Sequence, residues 1–239
     1  MNVYWLEQIE ADVAYGSGWL SRDEKARLAS MRFPRRRASW RLGRWTAKKA
    51  LAICFSLPED PQLFADLEIR SAPSGAPEAF FEGEPTAVTI SLSHRSGIGL
   101  CAIAPSHMRV GCDLEVIEPS SEAFVADYFT DDEQDLVART QSSDRPRLVA
   151  LLWSAKESAL KVLETGLRLD TRSLTVQLED SVGSGDWCPL VASCSDGQAF
   201  YGWWQSTESM VRTVVCDTAA PTPVHLAAPV ASEGYAFRP

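Results

Sequence analysis

The sequence predicts an α+β fold made of two similar α+β halves, residues 1–107 and 108–239, related by a pseudo-twofold axis. Two observations lead there. The order strand, capped helix, long helix, strands occurs twice. Sliding the chain against itself by about 108 residues also aligns short segments in the same order. Leu6-Glu-Gln-Ile-Glu10 meets Leu114-Glu-Val-Ile-Glu118, and Trp45-Thr-Ala-Lys48 meets Trp153-Ser-Ala-Lys156. Ser21-Arg-Asp-Glu24 meets Thr130-Asp-Asp-Glu133 one residue off that register. Each half-sheet would be too small to bury well alone, so the halves should fold as one cooperative unit, packed face to face.

Taken in order, residues 2–9 read as a strand and Ser21–Glu24 as a capping box that opens a helix. A longer basic helix runs from Phe33 to about Phe55, with Pro34 at its start and Leu57-Pro58 past its end. Strands follow at 66–70, 79–81, 87–93 and 97–104, the last two joined by a tight turn over His94–Gly97. A strand at 108–117 precedes a helix opened by Thr130–Glu133 and a helix over 146–164 closed by Gly166. The C-terminal part carries strands at 173–178, 199–205 and 210–216. A Pro/Ala-rich tail after Thr218 is expected to run extended over the surface.

Composition narrows the function. A net charge of −9 argues against general nucleic-acid binding. No run is long enough for a membrane span, and the first residues lack the basic and apolar regions of a signal peptide. The six cysteines form no CxxC pair, which suits reduced thiols and a cytoplasmic protein rather than a zinc site.

The chemistry concentrates in two places. Asp113 and Glu115 are two apart on a strand and project to one side, while Trp153, Glu157 and Lys161 share one helix face. Three carboxylates brought together repel unless a cation sits among them, and Mg²⁺ is the hard cation that takes few carboxylates, several waters and a ligand's phosphates. Taken singly, Glu157 to Lys161 is also an ordinary helix ion pair, and Asp-x-Glu is common on exposed strands. The second concentration is basic: Arg32, Arg35, Arg36, Arg37, Arg41, Arg44, Lys48 and Lys49 crowd one helix of an acidic chain. Arg37, Arg41, Arg44 and Lys48 fall on one face, either a solvated basic surface or an anion-binding wall. The repeat separates the two, since Trp5 occupies the position of Asp113 and Lys49 that of Glu157. A polyanionic ligand bound between the halves would need both.

Gly111-Cys-Asp-Leu-Glu115 followed by Trp153-Ser-Ala-Lys-Glu-Ser-Ala-Leu-Lys161 resembles the signature of the 4′-phosphopantetheinyl transferases. It is similar in particular to their long, pseudo-dimeric single-chain type, which activates peptide and polyketide synthetases such as surfactin synthetase. Ser91-Leu-Ser-His94 resembles the family's S-x-S-H turn, Gly75-Ala-Pro77 its Gly-x-Pro turn, and Phe129–Glu133 its F-x-x-x-E segment. Trp40–Lys48 resembles its first-half basic helix. Ala76 stands where many relatives have Lys, so one cation that commonly supports the nucleotide is missing.

The resemblance implies transfer of 4′-phosphopantetheine from coenzyme A to a serine of an apo acyl or peptidyl carrier protein. It implies Mg²⁺, or Mn²⁺ in its place, on Asp113, Glu115 and Glu157, with Glu157 accepting the serine proton and Lys161 holding phosphate. Metal ligation lowers a carboxylate's basicity, so Glu115 or a metal-held water remains an alternative acceptor. Arg37, Arg44, Lys48, Ser93, His94, Asp113, Lys156 and Lys161 are the expected coenzyme A contacts. Glu133 reads as a capping residue rather than a catalytic one. Phe124, Val125, Tyr128 and Phe129 are candidates either for gripping a carrier helix or for the core. Arg139, Arg145 and Arg147 are candidates for steering an acidic carrier. With both halves in one chain, a monomer is expected. The rival readings are a metal-dependent phosphodiesterase, which would usually show more histidine, and a non-catalytic coenzyme A or carrier-binding module.

Overall fold

The consecutive apolar residues Tyr4, Trp5 and Leu6 of Tyr4–Ile9 (β1) are all buried, and this strand anchors the first of two compact units. A computed structural model describes residues 2–165, 169–179 and 187–226 of the chain. The first unit comprises the residues up to Met108 together with the segment from Val224, and the second runs from Arg109 to Pro223. The mixture of sheets and helices makes the fold α+β.

In the first unit, Ser21 caps α1 (Arg22–Ser30): its hydroxyl accepts from Glu24 N while Glu24 returns a carboxylate to the Ser21 N–H. Such a cap stabilises a helix by about 1 kcal/mol. Pro34 opens α2 (Pro34–Cys54), whose missing N–H is harmless in a first turn, and α2 buries Leu42, Trp45, Ala47, Ala50, Leu51 and Cys54. A short helix, α3 (Pro61–Asp66), capped by Asp60, leads into β2 (Leu67–Ser71), β3 (Pro77–Phe81) and β4 (Glu84–Pro85), a small antiparallel sheet. β5 (Val88–Arg95) and β6 (Ile98–Pro105) form a hairpin, and β6 pairs with β1. The hairpin turns through Ser96 and Gly97 at φ 49 and 78, the left-handed pair that a two-residue hairpin requires. The expected turn over His94–Gly97 is thus tighter than the sequence suggested. His94 and Arg95 remain on β5, opposite Gly99 and Ile98.

The second unit begins with β7 (Val110–Val116) and continues through α4 (Glu122–Tyr128), α5 (Asp131–Arg139) and α6 (Arg145–Val162). Thr130 and Glu133 form the capping box of α5, as the sequence predicts. Strands β8 (Leu174–Leu178), β9 (Cys188–Cys194), β10 (Ala199–Ser206) and β11 (Met210–Cys216) complete one antiparallel sheet in the order β7-β11-β10-β9-β8. α6 lies on this sheet over Leu152, Ala155, Ala159, Leu160, Val176, Phe200 and Val215. The two units repeat one plan internally. In each, the first strand pairs with the second strand of a later hairpin, and a long helix covers the sheet. They differ in that the first unit splits its strands into two sheets while the second keeps one.

Several expectations change. The tail is not wholly extended over the surface: β12 (Val224–His225) pairs in parallel with β1, so this segment belongs to the first unit rather than to the second half. Helices α3 and α4 and strand β9 were not foreseen. The helix-closing role expected of Gly166 and the tail beyond Leu226 lie outside the described residues.

Candidate active site

β7 and α6 bring the second unit's charged residues together. Gly111 permits this, because a Cβ there would lie 1.9 Å from the Ser158 carbonyl oxygen and 3.2 Å from Lys161 Cβ. Only a glycine lets the strand approach the helix so closely. Alternation along β7 then sends Asp113 to the same side as Gly111, with Glu115 two residues further on. Asp113 is buried, and its Oδ1 accepts a 2.8 Å hydrogen bond from Lys161 Nζ. The same ammonium donates to the Cys112 carbonyl at 2.8 Å. Burial alone would pull the Lys161 pKa down, but Asp113, the Cys112 group and Glu157 outweigh it, and the net shift is upward. Glu157, half-buried one turn before Lys161, has its pKa raised, first by burial and then by the charge of Asp113, with Lys161 opposing. Two carboxylates close enough to repel thus both act on the Lys161 ammonium.

Among the described residues, no three of His, Cys, Asp and Glu converge as a metal-holding group. Asp113 and Glu157 lie close enough for their charges to interact, and the Lys161 ammonium on Asp113 offsets that repulsion locally. The donor set of Asp113 and Glu157 still fits a hard divalent cation: both are oxygen ligands, and their mutual repulsion is the condition such an ion relieves.

The basic helix divides differently from its sequence pattern. Lys48, an expected phosphate contact, is fully buried; its ammonium donates to Glu24, to the Phe64 carbonyl at 2.7 Å and to the Trp19 carbonyl at 3.2 Å. Lys156, another expected contact, is equally buried. It pairs with Glu133 at 2.8 Å and donates to the carbonyls of Thr171 at 2.8 Å and Leu174 at 2.6 Å. Each ammonium has three N–H donors, and each here has three acceptors. Both assignments are corrected: these lysines are internal ties, and both pKa values are lowered, chiefly by burial. In each unit the glutamate partner is the capping-box residue. Its second oxygen accepts from a strand N–H, Ile69 for Glu24 and Val176 for Glu133. The sequence carried this signal as the same Glu and Lys in both repeats, read there as a cap and as coenzyme A contacts.

Arg44 remains partly accessible at 14% of its side chain. It stacks over Trp40 at 4.9 Å and lies 3.7 Å from Glu24, and its Nε has no hydrogen-bond partner among the described residues. Arg37 is half-buried and donates to the carbonyls of Leu28 and Met31. Ser93 is half-buried and His94 exposed near the end of β5. Of the aromatic candidates, Phe129 is fully buried core, Phe124 and Val125 pack against that core, and Tyr128 is 37% exposed and stacks on Trp153. Arg145 closes the end of α5 by donating to the Ala138 and Thr140 carbonyls, while Arg139 and Arg147 are exposed. No described helix is long and apolar enough to cross a membrane.

Comparison with known proteins points to the same unit. Residues 109–195 match the model of the 4′-phosphopantetheinyl transferase superfamily, a little over a third of the chain. No curated protein sequence matches. Among solved structures, Helicobacter pylori holo-[acyl-carrier-protein] synthase in complex with coenzyme A aligns over 44% of this chain and 99% of that one. Its identity is 17% and its TM-score 0.30, too low to carry any argument. The family match therefore rests on residues 109–195, the stretch that holds Asp113, Glu157 and Lys161.

Proposed function

We propose that the protein transfers 4′-phosphopantetheine from coenzyme A to a serine of an apo acyl or peptidyl carrier protein. The observation that carries this is the Asp113–Lys161–Glu157 arrangement within the segment matching the transferase family. In the reaction, the serine oxygen forms a bond to the β-phosphorus of coenzyme A. The bond from that phosphorus to the bridging oxygen breaks, and adenosine 3′,5′-bisphosphate leaves.

Each residue has a task. Glu157 takes the serine proton, burial and the charge of Asp113 raising its pKa in the metal-free protein, with Glu115 or a metal-held water as the alternative acceptor once a cation is bound. Lys161 stays protonated, since its pKa is raised, and meets phosphate charge from Asp113's side. Asp113 and Glu157, with Glu115 alongside, would hold Mg²⁺ or Mn²⁺, which when bound neutralises the pyrophosphate and the charge developing on the leaving phosphate. Arg44 and Arg37 on α2, with Ser93 and His94 on β5, are the proposed coenzyme A phosphate contacts of the first unit. Arg44 supports this best, through the part of its side chain that remains accessible beside Trp40. Tyr128, with Arg139 and Arg147, is the proposed carrier contact. The active form is proposed to be a cytoplasmic monomer of the single-chain type.

The test is to incubate the protein with coenzyme A, Mg²⁺ and several apo carrier domains and record carrier mass. A gain of one phosphopantetheine, about 340 Da by its covalent formula, is expected. No gain on any carrier would leave a non-catalytic binding module as the better reading.

A further inference from the structure

Beneath the site, three hydroxyls sit where a helix normally packs with methyl groups. Ser154, Ser158 and Thr213 are each fully buried. Thr213 Oγ1 donates to the Ser154 carbonyl at 3.0 Å and meets the Ser154 and Ser158 hydroxyls at 2.9 and 2.7 Å. With the threonine proton committed to that carbonyl, both serines donate to Oγ1. One oxygen on β11 therefore ties two successive turns of α6. Thr213 is also the cross-strand partner of Asp113, and Glu157 and Lys161 follow on the same helix.

The first unit supplies a control. Its residues in the same places are Thr46 and Ala50 on α2 and Ala102 on β6, the last being the partner of Trp5. Ala50 and Ala102 are fully buried methyls, and Thr46 turns its hydroxyl back to the Leu42 carbonyl. The first unit therefore seats its helix on its sheet without this network. Three buried hydroxyls add little net stability over methyl packing. Their distinct contribution is direction, since hydrogen bonds fix how far a helix slides and rolls on a strand, whereas methyl contacts tolerate small shifts.

We infer that Thr213, with Ser154 and Ser158, is a positioning residue for the transferase reaction. It locks α6 in the register that sets Glu157 and Lys161 against Asp113. The inference rests on the function proposed above. Misplacing reacting groups by about 1 Å can slow catalysis a hundredfold.

The experiment compares Thr213→Val, which keeps the shape and removes the oxygen, with Thr213→Ser, which keeps the oxygen. Thr46→Val in the first unit serves as the matched control. In carrier transfer, Thr213→Val should lower kcat about 10- to 100-fold with KM for coenzyme A within about threefold. Thr213→Ser should restore kcat, and Thr46→Val should leave it unchanged. A Thr213→Val enzyme with kcat within twofold of wild type would overturn the inference. If Thr213→Val does not fold, Ser158→Ala carries the same expectation. A double-mutant cycle of Thr213→Val with Lys161→Met, read by chemical unfolding, needs no activity. Coupling should make the combined change in the unfolding constant differ about fivefold or more from the product of the single changes, and a product within twofold would also overturn it. Wild-type protein that transfers nothing to any carrier would fail the functional proposal alone, leaving the cycle to decide the network.

Discussion

The two units use one internal plan, and comparing them separates what holds the fold from what the proposed chemistry would use. Each ties its long helix to a capped helix and a strand through a buried Lys–Glu pair, Lys48–Glu24 in one and Lys156–Glu133 in the other. A feature kept at equivalent places in both units belongs to the architecture. Among the positions that differ are Trp5, Lys49 and Ile53 in the first unit against Asp113, Glu157 and Lys161 in the second. Only the second set places carboxylates and an ammonium in mutual range. Lys49 instead forms a peripheral ion pair with Glu59. The units share this tie, and the differences at these three positions leave the interacting carboxylates and ammonium in one unit.

The largest expected effect tests the shared part. Lys156→Met leaves buried Glu133 without its cation, and Lys48→Met leaves buried Glu24 only Arg44 at 3.7 Å, so the first should lose about 3–5 kcal/mol in chemical unfolding and the second somewhat less. A loss below about 1 kcal/mol in either would show that the pair is not an architectural tie in that unit. Next comes Arg44→Ala, which should raise the coenzyme A Kd by about one to two orders of magnitude, the equivalent of a charge-assisted bond of roughly 1.5–3 kcal/mol. The loss should be smaller for dephospho-coenzyme A in calorimetry, and equal losses would move the 3′-phosphate elsewhere.

A smaller effect comes from the repulsion at the site. Because folding raises the Glu157 pKa, the folded state binds that proton more tightly than the unfolded chain does. The resulting destabilisation is absent below the ordinary carboxylate value and fully present above the raised one. Glu157→Gln should therefore stabilise the metal-free protein at neutral pH, and the gain should fade in thermal melts as pH falls through the carboxylate range. A gain that grew toward acid would contradict the shift. The smallest effect belongs to the first unit's equivalent: Lys49→Ala breaks a partly exposed pair and should change stability by no more than about 1 kcal/mol.

Much of this was legible in the sequence because it is local. The capping boxes at Ser21 and Thr130, the strand alternation in 88–105 and the helix covering 145–162 each express short-range physics. Helix α4 escaped notice because seven residues hold barely two turns, too few for a periodic stripe. Pro189 and Ser193 blur the alternation of β9, and β12 pairs only two residues of a Pro/Ala-rich stretch. The acidic site could be seen because Asp113, Glu157 and Lys161 fall on single strand and helix faces. Lys48 and Lys156 were misread for the opposite reason. Local spacing placed Lys48 on a basic face and the family resemblance made Lys156 a coenzyme A contact, and only contacts with Glu24 and Glu133 on another helix show that both point inward. The Ser154–Ser158–Thr213 network joins residues more than fifty apart and leaves no local trace.

The claim that the chemistry belongs to the second unit meets its most direct test in single-turnover transfer to an apo carrier domain. The rates to compare are those of wild type, Glu157→Gln and Lys49→Gln, the two variants altering the same helix position in each unit. Glu157→Gln should slow transfer by at least about a hundredfold, the usual scale for losing a general base, with coenzyme A affinity within a few fold. Lys49→Gln should leave the rate near wild type. Near-normal transfer by Glu157→Gln, or a collapse in Lys49→Gln, would contradict the assignment of the chemistry to the second unit.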